Sequence, residues 1–128
     1  MDTIANMLNS IINAQRVKKQ RAAVDYSRFK ESLARLLQER GWIADFRMQE
    51  GPRPKLIFTL TYDESGAPRI AGIRRLSKPG QRLYVSAARI PYSRDGLGSV
   101  IVSTPQGLMD DKKARKLGLG GELVCEIW

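Results

Sequence analysis

The residues of this chain best suited to chemistry are two small hydroxyls, Ser103 and Thr104. They end the strand-like run Ser99, Val100, Ile101, Val102 and are followed by Pro105, Gln106 and Gly107. Just upstream, from Arg69 to Arg94, lie seven Arg or Lys and no Asp or Glu. Short hydroxyls on a rigid loop beside a cationic sheet suit the ribose and phosphate surface of folded RNA, where contacts are short and polar and the field must be positive. The same hydroxyls would equally close a local turn, because Ser and Thr at strand ends satisfy nearby amides and Pro with Gly two residues on is turn chemistry.

A second cluster lies within the basic stretch. Lys78, Pro79 and Gly80 read as a β-turn at the tip of a hairpin, projecting a cation, with Arg82 and Tyr84 two apart on one face of the following strand. An Arg beside an aromatic on a sheet face can grip phosphate and stack on a base. The alternative is a half-buried Tyr84 beside a solvated Arg82.

Other chemistries are poorly served. The chain has no histidine, which removes Ser-His and Cys-His activation and the commonest metal ligand together. Asp110 and Asp111 point apart if they open a helix, and one is needed as its cap, so acid-base catalysis is not expected of them. The clusters Gly96, Leu97, Gly98 and Gly118, Leu119, Gly120, Gly121 complete no Walker or dinucleotide pattern and read as turns that admit positive φ. Cys125 is the only cysteine, so no internal disulfide can form, and a reducing cytoplasm fits. The amino terminus has no basic leader, and no apolar run approaches the ~20 residues that cross a bilayer. No catalytic residue, cofactor or metal is expected.

The elements that must position these residues follow from periodicity and caps. Asp2 or Thr3 can cap a helix carrying Ile4, Leu8 and Ile11 at helical spacing. A basic connection, Arg16 to Arg21, serves as a solvated linker or a phosphate contact and leads into a short strand over 22–26. Ser27 caps a second helix with the stripe Phe29, Leu33, Leu36, Leu37, ended by Gly41. Trp42 to Met48 and Lys55 to Tyr62 read as strands separated by a turn with two prolines. Asp63 to Pro68 concentrates breakers and marks a lobe boundary. Beyond it come strands over 69–76, 82–86 and 99–103, a short helix from the Asp110 cap to Lys116 with Gly118 ending it, and a last strand over 122–128. The expected fold is α+β in two small lobes: residues 1–64, α-β-α-β-β, and residues 65–128, mainly antiparallel β with a short helix.

Length and charge agree with this. A chain of 128 residues with 42% hydrophobic content can bury a real core without staples. Lys and Arg number 22 against 13 Asp and Glu, net +9, an excess that a polyanion would relieve. Residues 1–64 hold 11 cations and 8 acids, net +3, and residues 65–128 hold 11 and 5, net +6, which puts the principal binding face in the carboxyl half.

At this level the sequence resembles a known family, bacterial small-subunit ribosomal protein eight. The stretch Ile73, Arg74, Arg75, Leu76, Ser77, Lys78, Pro79, Gly80, Gln81, Arg82, Leu83, Tyr84 is similar to the family's Ser-Lys-Pro-Gly hairpin. Ile90, Pro91, Gly96, Leu97, Gly98, Ser103, Thr104, Gly107, Met109, Ala114, Arg115, Gly118, Gly120, Gly121, Glu122 and Cys125 resemble its carboxyl signature. Asp2, Ile4, Ala5, Met7, Leu8, Asn13 and Ala14 resemble its first helix, so the likeness spans nearly the whole chain.

The resemblance implies a non-enzymatic cytoplasmic protein of the ribosome. It would bind the central domain of small-subunit ribosomal RNA, support assembly and adjoin other small-subunit proteins. It also implies, as an alternative, a translational repressor or RNA chaperone that binds messenger RNA, including that of its own operon, through the same surface. By the matching motifs, Ser103 and Thr104 would touch RNA, with Tyr84 and Glu122 lining the contact and Lys78 and Arg82 gripping the backbone. Arg74, Arg75 and Gln106, within the same motifs, complete the set of expected RNA-binding residues. Two positions depart from the family pattern: Pro105 stands where a third hydroxyl or amide is usual, and Ile12 where the first helix usually presents an Arg.

Overall fold

A computed structural model describes residues 2–128, and it separates into two compact units, Thr3–Ile70 and Asp2 with Ala71–Trp128. The fold is α+β with antiparallel sheets, as the patterning requires.

In the first unit, α1 (Thr3–Arg16) buries Met7, Leu8 and Ile11 on one stripe and packs on β1 (Arg21–Asp25). Helix α2 (Arg28–Glu39) starts where the sequence places its cap: the Ser27 hydroxyl accepts from the Lys30 amide at 3.1 Å. It ends in a left-handed turn at Gly41, φ 79°. The Trp42 and Ile43 amides bond back to the Leu37 carbonyl at 2.8 and 3.5 Å, so the strand expected from Trp42 starts only at Asp45. The strands β2 (Asp45–Gln49) and β3 (Lys55–Thr59) join β1 in the order β1-β3-β2. β3 ends at Thr59, short of the expected Tyr62, and the Leu60 amide adds one last in-register bond to the Gln20 carbonyl at 2.9 Å. In the breaker segment one Asp63 oxygen accepts from the Ser65 hydroxyl (2.7 Å), the Ser65 amide (2.9 Å) and the Ala67 amide (2.8 Å). The Ser65 hydroxyl and Ala67 amide foremost hold its carboxyl below the usual carboxylate range.

The second unit is built around one long strand, β8 (Gly121–Ile127). On one side it pairs with β6 (Ser99–Thr104), which continues to the edge strand β7 (Gly107–Asp110). On its other side lie two short strands, β4 (Ile73–Arg75) opposite Cys125–Ile127 and β5 (Tyr84–Val85) opposite Gly121–Glu122. The expected hairpin is therefore not formed: β4 and β5 pair with β8, not with each other. Between them the Leu76 and Ser77 amides bond to the Val124 and Leu123 carbonyls, while on the other side of β8 the ladder with β6 shifts register between Ile101 and Val102 and leaves Val124 without a β6 partner. The strand expected over 69–76 shrinks to Ile73–Arg75; Gly72 and Trp128 still exchange backbone bonds of 3.0 Å in the same register, and the Ala71 amide shares the Trp128 carbonyl at 2.7 Å.

Helix α3 (Asp111–Leu117) begins at the expected cap, with the Asp110 carboxylate accepting from the Lys113 amide at 2.9 Å, and ends at Gly118, φ 69°. It covers one face of the sheet, where Ile90, Val100, Val102, Met109, Ala114 and Leu123 form the core.

Candidate nucleic-acid interface

Directly paired residues on antiparallel strands share a face. Tyr84 of β5 lies opposite Glu122 of β8, which lies opposite Ser103 of β6. A phenol, a carboxylate and a hydroxyl thus form one row across three strands, about 10 Å long at the usual strand spacing. Their sequence neighbours Leu123 and Val102 turn into the core, so the row occupies the face away from α3. Tyr84 is 70% exposed, whereas Glu122 and Ser103 are half-buried. The Ser103 hydroxyl has no hydrogen-bond partner among the described residues.

Two glycines let the strands close. A Cβ on Gly121 would overlap the Ser103 carbonyl, and one on Gly120 the Val85 carbonyl. Gly98 is confined in the same way by Ser93 and the Ile127 carbonyl. The expectation that these glycine clusters serve positive φ therefore holds for Gly96 and Gly118 only; Gly98, Gly120 and Gly121 are glycine for lack of space.

Thr104 faces the other way. Its hydroxyl donates to the Gly107 carbonyl (2.8 Å) and accepts from the Gln106 amide (3.1 Å), closing the two-residue turn at Pro105 and Gln106, and it is 8% exposed. The two hydroxyls that read as a pair are thus divided, with Ser103 on the row and Thr104 holding the turn. Gln106 stands exposed at the turn's tip.

The cations are also sorted by the fold. Arg82 precedes β5, so it does not share a strand face with Tyr84; its guanidinium lies 3.1 Å from the Glu122 carboxylate. Arg74 pairs with Glu126 at 3.2 Å, and Glu126 also accepts from the Ser93 hydroxyl at 2.6 Å. Arg75, only partly exposed, lies 3.0 Å from Asp2 and donates to the Val124 carbonyl, which commits it to the protein. Arg94 lies over the Trp128 ring at 3.9 Å. Three of the seven cations in the acid-free stretch are therefore answered by acids remote in sequence. Lys78 stands exposed on a turn closed by reciprocal Lys78 and Gln81 backbone bonds of 2.9 Å.

Several supporting residues were not anticipated. Buried Ser77 accepts from the Leu83 amide at 2.8 Å and shuts the loop that carries Lys78; nothing in its sequence context signals this. Asp111 accepts from the Val100 amide (3.1 Å) and pairs with Arg115 (2.8 Å), which donates to the Ile90 and Pro91 carbonyls and lies over the Tyr92 ring. Their spacing of four was the available signal. Burial pushes the Cys125 thiol up to about 12. Among the described residues no group of acids or cysteine is placed to hold a metal, and no helix is long and apolar enough to cross a membrane. The arrangement can stack one aromatic, accept and donate a few short hydrogen bonds, and offer positive charge beside them.

Comparison with known proteins agrees with the resemblance. The family model described as "Ribosomal protein S8" matches residues 2–128. The chain is similar to "Small ribosomal subunit protein uS8" of Sorangium cellulosum, 47% identical over 128 residues that cover 99% of this chain and 98% of the relative. It is 46% identical to the protein of that name from Thermus thermophilus, with 99% and 98% covered, and 44% identical to that from Alcanivorax borkumensis, with 98% and 96% covered.

Proposed function

This chain belongs to the ribosomal protein S8 family, and from that premise we propose that it binds the central domain of small-subunit ribosomal RNA through the row Tyr84, Glu122, Ser103 and so supports subunit assembly. It is a structural, non-enzymatic protein of the small ribosomal subunit, located in the ribosome in the cytoplasm.

The observation that carries the reading is the register that sets these three side chains side by side on the open face. Tyr84, more than two-thirds exposed, offers a ring on which an unpaired base stacks. The Ser103 hydroxyl reaches ribose or phosphate oxygens, and the Glu122 carboxylate accepts from an exocyclic base amine. Lys78 supplies backbone charge from its loop, Gln106 an amide from the turn, and Arg74 an exposed guanidinium shared with Glu126. Thr104 serves by holding the turn beside Ser103.

The test is Tyr84→Ala measured against a central-domain RNA fragment. The exposed ring contributes little to the core, so the melting temperature should stay, while affinity falls by about 1 to 3 kcal/mol. Unchanged affinity removes the row from the interface.

A further inference from the structure

Resting on that reading of the row, we infer that Arg82 is a positioning residue, serving RNA binding by pairing with Glu122 and not by contacting phosphate. Glu122 occupies the middle of the row, between Tyr84 and Ser103. A bare carboxylate there would repel a polyanion, yet one with its charge cancelled and one oxygen held becomes an oriented acceptor. The Arg82 guanidinium meets Oε2 at 3.1 Å, and Oε1 has no hydrogen-bond partner among the described residues.

The backbone brings the two side chains together. Leu83, next to Arg82, is gripped on both its amide (2.8 Å) and its carbonyl (3.4 Å) by the buried Ser77 hydroxyl. That carbonyl also accepts from the amide of Leu123, next to Glu122, at 2.9 Å. The backbone that carries Arg82 is thereby held alongside β8, next to the carboxylate. Lys78, four residues earlier and on the exposed tip of the same loop, has no carboxylate partner among the described residues. Two cations that look equivalent in sequence thus differ: Lys78 can neutralise a phosphate, whereas the charge of Arg82 is spent within the protein.

Phosphate neutralisation is read from the slope of log affinity against log salt, to which each contact adds about 0.7 to 0.9. The test compares wild type, Lys78→Ala, Arg82→Ala, Glu122→Gln and the double variant Arg82→Ala/Glu122→Gln on a central-domain RNA fragment, with a melting curve for each. The double variant keeps the net charge of the wild type, so its slope reports contacts and not overall charge. Lys78→Ala should lower the slope by about 0.7 to 0.9, and the double variant should leave it unchanged. Arg82→Ala should weaken binding about tenfold alone and less than about twofold in the Glu122→Gln background, the signature of coupled residues. A slope loss in the double variant, or an Arg82→Ala penalty as large in both backgrounds, overturns the inference and leaves the row intact. If Glu122→Gln and Tyr84→Ala both bind as wild type, the reading of the row fails, and this inference with it.

Discussion

Ser103 and Thr104 are adjacent in the chain and lie on opposite faces of β6, one beside Glu122 on the open face and the other bonded into the turn it precedes. Strand geometry alone imposes this division, because successive side chains alternate. It also separates what the two hydroxyls do.

Thr104→Val keeps shape and branching but removes both turn bonds, so stability should fall by about 1 kcal/mol with RNA affinity of the folded protein nearly unchanged. Ser103→Ala should do the reverse, sparing the melting temperature and weakening binding by roughly 1 kcal/mol. Calorimetric melting and RNA titration on the same samples distinguish them, and an exchange of the two patterns would contradict the assignment.

Arg75 reads in sequence as one more cation of the binding surface, yet its side chain is 12% exposed and faces Asp2. Arg75→Ala and Asp2→Asn each remove one half of this ion pair. Each should cost about 2 kcal/mol in urea unfolding, less than a fully buried pair because both partners keep some water. The salt slope of RNA binding should not change, and a slope loss would place Arg75 on phosphate.

A methyl at Gly121 must push β6 away from β8, because its Cβ overlaps the Ser103 carbonyl. Gly121→Ala should cost about 2 kcal/mol or more and lower RNA affinity by spreading the row. Gly80→Ala, where a Cβ meets nothing within 4 Å, serves as the control and should change neither quantity measurably.

Cys125 titrates only near 12, raised from its ordinary 9.0 mainly by burial. A group whose folded pKa is raised gives stability that is complete below the unfolded pKa and is lost as pH climbs toward the folded one. The contribution of Cys125 should therefore decline between about pH 9 and 12, and Cys125→Ala should flatten that part of the stability curve. Native protein at pH 8 should resist iodoacetamide and become reactive on unfolding; rapid native labelling would show the thiol to be accessible.

Much of the local structure was legible in the sequence because its signals are local. Ser27 and Asp110 cap the helices they were expected to cap, and Leu33, Leu36 and Leu37 of the expected α2 stripe are buried while Phe29 stays exposed. What escaped is set by strand pairing across long separations. Arg82 meets Glu122 over 40 residues and Arg75 meets Asp2 over 73, so a stretch without acids in one dimension is partly compensated in three. The expected hairpin failed for the same reason, as β8 supplied a partner to both arms. The period-2 alternation that separates Ser103 from Thr104 was present in the sequence. It becomes usable only once both residues are known to lie within the strand and not in the loop after it.

The most direct test of the RNA-binding face is photocrosslinking from position 84. A photoreactive phenylalanine in place of Tyr84, in otherwise native protein bound to a central-domain RNA fragment, should form an adduct with RNA on irradiation. The same group in place of Lys113, on the helix that covers the opposite face of the sheet, should form little. Strong crosslinking from 113 and none from 84 would contradict the account and move the RNA to the other side of the molecule.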